Sequence, residues 1–130
     1  MRVVQLGCGI TGLVCAEHLA NNTRVTELVL ADYDTGGAEF LAKRLDMDKV
    51  SVIKADGSDA EQVRKLLKST DLVVNSLPWQ YMGQVQRLAA ETGTDYVDFC
   101  LTVEALKDFD SVDKMCKNAG ITALLSLIHI

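Results

Sequence analysis

"VVQLGCGITGLVCAEHLA" (3–20) sets three glycines, Gly7, Gly9 and Gly12, between an apolar β-rich run and a stretch with helical spacing. The pattern G-x-G-x-x-G, entered from a strand and left into a helix, suits a dinucleotide pyrophosphate. Gly7 permits the tight turn, Gly9 leaves room for phosphate to approach the backbone, and Gly12 lets the first helix pack closely against the sheet. The N–H groups around Ile10 and Thr11 then sit at the positive end of that helix, where they bind phosphate oxygens. Over six residues alone, a glycine-rich turn that merely joins strand to helix reads the same way. The second half of the fingerprint separates the two readings. Asp32 ends the next β-rich run, "ELVLAD" (27–32), about 20 residues past the last glycine, where a carboxylate accepts hydrogen bonds from the adenosine ribose hydroxyls. That charge disfavours a 2′-phosphate, and "ADYDTGGAEF" (31–40) brings no Arg or Lys, so NAD is expected over NADP. Asp34 competes for the ribose; past the strand end, it otherwise reads as a solvated loop carboxylate.

Outward from this stretch, short apolar runs alternate with longer helical ones. Strands are expected at 2–6, 27–32, 50–55, 72–76, 96–99 and 121–127, and helices near 11–21, 35–45, 59–69, 79–92 and 103–118. Leu13, Val14, Ala16 and Ala20 make one helical face, and Val85, Leu88 and Ala89 another. Asp59 reads as a helix N-cap, and Gly93 and Gly120 fall where C-terminal cap glycines belong. This alternation predicts a Rossmann-type α/β fold, a doubly wound parallel sheet of about six strands in three layers, as one domain over 1–130. The natural strand order is 3-2-1-4-5-6, with the ligand crevice at the carboxyl ends where strands 1 and 4 meet.

Two further loops emerge on that edge. In "KADGSD" (54–59), Asp56 reads equally as an adenine-side contact and as a turn residue beside a helix cap formed by Ser58 or Asp59. In "VVNSLPWQY" (73–81), Asn75, Ser76 and Leu77 flank the nicotinamide end, and Pro78 turns Leu77 away from helix. Trp79 and Tyr81 read either as the mouth of a substrate site or as packing residues.

Composition narrows the remaining classes. The 130 residues are 48% hydrophobic and 24% charged with one proline, which suits one ordered domain. A formal charge of −5 without a basic run argues against nucleic acid. No run of about 18 apolar residues would span a bilayer, and "MRVVQLG" (1–7) lacks a secretory pattern, so no membrane partner and a cytoplasmic location are expected. Cys8, Cys15, Cys100 and Cys116 form no C-x-x-C pair, and His18 and His129 lack metal-ligand spacing, so no metal is expected and the thiols read as core.

The run "DLVVNSLPWQYMGQVQRLAAETGTDYVDF" (71–99), with "LVLADYD" (28–34) and the glycine loop, resembles the saccharopine dehydrogenase family, especially its lysine-dehydrogenase-like members. The resemblance covers nearly the whole chain. It implies an NAD(P)-dependent oxidoreductase acting at the CH–NH group of an amino acid, saccharopine or lysine. In this family a separate substrate domain supplies most acid–base groups, so no catalytic residue is assigned here and inactivity of the chain alone is expected. The residues carried over to the cofactor are Gly7, Gly9, Ile10, Thr11, Gly12, Asp32, Asp56, Asn75, Ser76 and Leu77. The full-length protein is expected to be a homodimer. The closing "SLIHI" (126–130) reads either as the end of a buried sixth strand or as a non-native tail after about Leu125, and His129 is not a catalytic candidate. The rival reading is a stand-alone nucleotide-sensing domain of a potassium transport system; "NSLPWQYMGQ" (75–84) does not resemble those domains.

Overall fold

The computed structural model describes residues 1–99 and 108–125. Six parallel strands, β1 (Arg2–Leu6), β2 (Glu27–Asp32), β3 (Val50–Lys54), β4 (Leu72–Asn75), β5 (Asp95–Asp98) and β6 (Ala123–Leu124), lie in the order β3-β2-β1-β4-β5-β6. The expected order is thus observed, with the winding direction reversing between β1 and β4. Register fixes what this reversal brings together. Leu6 pairs with Ala31 on one side and Asn75 on the other, so β1, β2 and β4 end level and their following loops emerge side by side.

Among the described residues the helices are α1 (Ile10–Asn21), α2 (Gly36–Leu45), α3 (Ala60–Leu67), α4 (Met82–Thr92) and α5 (Phe109–Ala119). Alternation along the strands sends neighbouring side chains to opposite faces, and both faces are covered, which is why the strands read as nearly continuous apolar runs. On one face Val4, Leu6, Val29, Val73 and Tyr96 pack against Val63 and Leu67 of α3 and Val85 and Leu88 of α4. On the other, Val3, Leu28, Leu30 and Val74 meet Ala16 and Ala20 of α1 and Leu41 of α2. Alanines on α1 let that helix lie close to the sheet and carry its N-terminus to the end of β1.

Several boundaries shift by a residue or two from expectation, and one differs in kind. The helix expected from 79 begins as a 3₁₀ turn, Trp79–Tyr81, and becomes α-helical at Met82. The extended backbone of Pro78 (ψ 147°) breaks continuity there. The sixth strand is two residues long as described, and the last helix is described from Phe109. Cys100, the first residues of the helix expected at 103–118, and the 126–130 segment with His129 lie outside the described residues. Gly93 and Gly120 end α4 and α5 in left-handed conformation, as their positions imply. Among the described residues no helix is long and apolar enough to cross a membrane, and no group of three or more His, Cys, Asp or Glu side chains is placed to hold a metal ion.

Asp59 caps α3 through one carboxylate oxygen, which accepts from the backbone N–H groups of Glu61 (3.0 Å) and Gln62 (3.1 Å). These bonds to Gln62 lower the carboxyl's pKa from its ordinary value. A carboxyl lowered in the folded state contributes stability above its unfolded pKa and loses it as pH falls through the folded one. Asp59→Ala should therefore melt below the wild type at neutral pH, with the gap narrowing as the medium is acidified. A gap independent of pH would show that the charge of the cap is immaterial.

Candidate functional site

The chain leaves β1 at Gly7, where φ is +83° and the N–H donates to the Ala31 carbonyl oxygen at 2.9 Å. A side chain is excluded there twice over. The left-handed conformation strains any L residue, and a Cβ would lie 2.8 Å from the Ser76 carbonyl group. Gly12, expected to bring helix and sheet together, sits against both the loop and the first strand: its Cβ would fall 2.1 Å from the Gly7 carbonyl oxygen and 3.2 Å from Nε2 of Gln5 in β1. Gly9 is the opposite case. A Cβ at Gly9 would meet nothing within 4 Å, so the middle of the loop faces open space. No side chain caps α1 and no acidic residue occupies its first turn, while Ile10 is 90% exposed. The positive end of α1 is therefore uncompensated and accessible, the condition for anion binding.

Asp32 closes the other side of this loop. One carboxylate oxygen accepts from the Cys8 N–H at 2.5 Å and the other from the Asp34 N–H at 2.9 Å, so the carboxylate is fixed between the β1 and β2 loops. Burial pushes the Cys8 thiol up to about 12, with the Asp32 charge adding to the effect. Cys8 is thus a neutral packing residue at physiological pH, and alkylation of the native protein at pH 8 should leave it unmodified; rapid labelling would contradict this placement.

Asp34 bonds the Gly36 N–H at 3.0 Å and behaves as a turn carboxylate. Asp56 accepts from both the N–H and the hydroxyl of Ser58, which hold its carboxyl below the usual range. Its turn role is therefore observed, and Asp56 also lines the cleft. Lys54, at the end of β3, places its Nζ 5.2 Å from the centre of the exposed Tyr33 ring. This brings a cation beside the end of β2 that the sequence following Asp32 does not contain.

The loop after β4 supplies the opposite wall. The Ser76 N–H donates to the Leu6 carbonyl oxygen at 2.7 Å. Gln5, wholly buried, donates through Nε2 to the Ser76 hydroxyl (2.7 Å) and to the Gly7 carbonyl (3.1 Å), tying the two loops together. Asn75 is buried, and its Oδ1 accepts from the Leu77 N–H at 3.1 Å. Asn75 thus shapes its loop from within, whereas Ser76 and Leu77 form the surface.

Two cavities flank this wall. A cleft of about 450 Å³ is lined by Gly7, Gly9, Asp32, Asp56, Ser76 and Tyr81, among others. A smaller cavity of about 190 Å³ includes Thr11, Asn75, Ser76, Leu77 and Asp98 in its lining. Tyr81 joins the larger cleft, and Trp79 remains half-exposed in the turn before α4. The residues present fit an extended dinucleotide: a glycine cradle that a Cβ would fill, an uncapped helix N-terminus, and a carboxylate at the end of β2. Sequence reasoning missed Gln5 and Lys54. A glutamine inside "RVVQL" (2–6) was the available signal, because a polar residue in a strand covered on both sides must be hydrogen-bonded. Lys54 was hidden because its proximity to Tyr33 depends on the pairing of Asp32 with Lys54 across β2 and β3.

Comparison with known proteins agrees with this geometry. The family model described as "Saccharopine dehydrogenase NADP binding domain" matches residues 3–124. Mitochondrial alpha-aminoadipic semialdehyde synthase of Rattus norvegicus is 25% identical over 123 residues, covering 95% of this chain and 13% of that protein. Apo saccharopine dehydrogenase (L-Glu forming) from Saccharomyces cerevisiae superposes with a TM-score of 0.81 at 25% identity, covering 97% of this chain and 27% of that one. An NAD binding oxidoreductase from Klebsiella pneumoniae shares the fold, with a TM-score of 0.72 at 18% identity over 97% of this chain and 34% of its own.

Proposed function

We propose that this chain, which belongs to the saccharopine dehydrogenase NADP binding domain family, provides the cofactor half of an oxidoreductase acting on the CH–NH group of an amino acid of the saccharopine or lysine type. The observation that carries the reading is the Gly7–Gly12 cradle, closed to any side chain at both ends and open over Gly9. When bound, the dinucleotide supplies hydride transfer at its nicotinamide ring. The chain's own residues bind and orient it. Backbone N–H groups of Ile10 and Thr11 take the pyrophosphate, and Asp32 takes the ribose hydroxyls. Asp56 borders the adenine side, and the Asn75–Leu77 loop borders the nicotinamide side.

The chain spans 13% of the curated relative and 27% of the yeast structure. The amino-acid substrate and the acid–base groups are assigned to a separate domain. With NADH and either lysine or saccharopine supplied, the chain alone should bind the nucleotide without turnover. Turnover by the chain alone would overturn this division of labour.

Within this reading NAD is the preferred cofactor. Asp32 repels a 2′-phosphate, and Lys54 partly offsets that repulsion at the same end of the cleft. NADH should therefore bind more tightly than NADPH, and Lys54→Met should weaken NADPH several-fold while leaving NADH within about twofold. Tighter binding of NADPH by the wild type would show that Asp32 does not set the choice.

A further inference from the structure

Beneath the wall between the two cavities runs a chain of buried polar groups, of which the cofactor assignment uses only Asn75. Asn75 and Asp98 are register partners across β4 and β5, and Tyr96, two residues before Asp98, shares their face of the sheet. All three are buried, with 1 to 2% of their surface exposed. The Tyr96 hydroxyl donates to the Asp98 carboxylate at 2.8 Å, and the Asn75 amide donates to the same hydroxyl at 3.0 Å. With its Nδ2 held in this way, Asn75 turns Oδ1 to the Leu77 N–H. From the opposite face of the sheet, Gln5 holds the Ser76 hydroxyl. The Ser76–Leu77 step is therefore braced from both sides of the sheet.

Tyr96 is well buried in the apolar cluster facing α3 and α4, so an ordinary core residue such as Phe would fill much of the same space. Its hydroxyl adds a fixed direction. A neutral amide rotates by half a turn at little cost unless one of its ends is engaged, and Tyr96 engages the amino end of Asn75. Burial, and then the Asp98 charge, raise the tyrosine pKa well above its ordinary value, so the hydroxyl keeps its proton and remains a donor to Asp98. The direction of the whole chain is thereby set, from carboxylate to hydroxyl to amide to the Leu77 backbone.

We infer that Tyr96 and Asn75 are positioning residues that set the Ser76–Leu77 backbone for the nicotinamide half of the cofactor, while the adenosine half is held independently by Asp32 and the glycine loop. The inference rests on the dinucleotide reading above. It requires the two halves of the ligand to respond differently to the same substitution, which a purely structural role for Tyr96 would not produce.

Calorimetric titration of the wild type and Tyr96→Phe with NADH and with ADP-ribose, which lacks the nicotinamide, tests this. NADH affinity should fall about tenfold in the variant, as expected for losing one oriented hydrogen bond, with ADP-ribose within twofold of wild type. Asn75→Ala keeps the Tyr96–Asp98 bond and should give the same split if Tyr96→Phe does not fold. Equal weakening of both ligands, or no change in either, overturns the positioning role while leaving dinucleotide binding intact. Failure of the wild type to bind either ligand overturns the dinucleotide reading itself.

Discussion

Gly12→Ala is expected to lose both stability and nucleotide binding. Its new methyl group would lie 2.1 Å from the Gly7 carbonyl oxygen, and that atom is backbone, so no side-chain rotation relieves the clash. Helix α1 must move away from the loop, at a cost of about 1–3 kcal/mol or more for overpacking a close contact. The same movement takes the Ile10 and Thr11 N–H groups away from the place where they converge on phosphate. Gly9→Ala is the informative control. With φ at −70° and nothing within 4 Å of its Cβ, it should fold and melt like the wild type, yet bind NADH weakly because the methyl occupies the open space over the loop. Thermal melts and NADH titrations on the two variants separate the roles. Unchanged melting and binding in Gly12→Ala would contradict the geometry of the cradle.

Asp32→Ala should weaken NADH binding by about 1–3 kcal/mol, the range for removing a partner from a partly buried, charge-assisted hydrogen bond. In affinity this is roughly five- to 150-fold. Some of the loss comes from the protein itself. The Cys8 and Asp34 N–H groups lose their shared acceptor, so the loop between Gly7 and Gly9 loses one of its anchors. Asp32→Asn distinguishes the contributions. The amide oxygen still accepts from Cys8, while the negative charge is gone, so NADPH should gain relative to NADH. An NADH affinity unchanged by Asp32→Ala would remove this residue from the site.

The glycine loop and Asp32 were legible in sequence because each function imposes a local requirement: a left-handed turn, a close backbone approach, and a carboxylate at a strand end. Strand order followed from the alternation of elements and the handedness of crossovers. The braces behind the site were not legible in the same way. Gln5, Tyr96 and Asp98 act through partners up to 71 residues away, as Gln5 does with Ser76, and it is the pairing of β1 with β4 and of β4 with β5 that brings those partners together. Gly12 was assigned its need for smallness against the sheet, and the loop carbonyl that curls back over the helix start is a second, nearer neighbour set by a turn the sequence does not display. Asp56 stayed ambiguous because one position both closes the Ser58 turn and borders the cleft. The start of α4 was misplaced because Pro78 holds an extended conformation and the next three residues turn more tightly than an α-helix.

The crevice between the β1 and β4 loops should bind a dinucleotide along its length. Calorimetric titration of the folded chain with NADH, repeated in the presence of saturating ADP-ribose, tests it most directly. Saturable one-to-one binding that ADP-ribose displaces is the predicted result. A chain that melts cooperatively yet gives no saturable signal with NADH or NADPH would contradict the account.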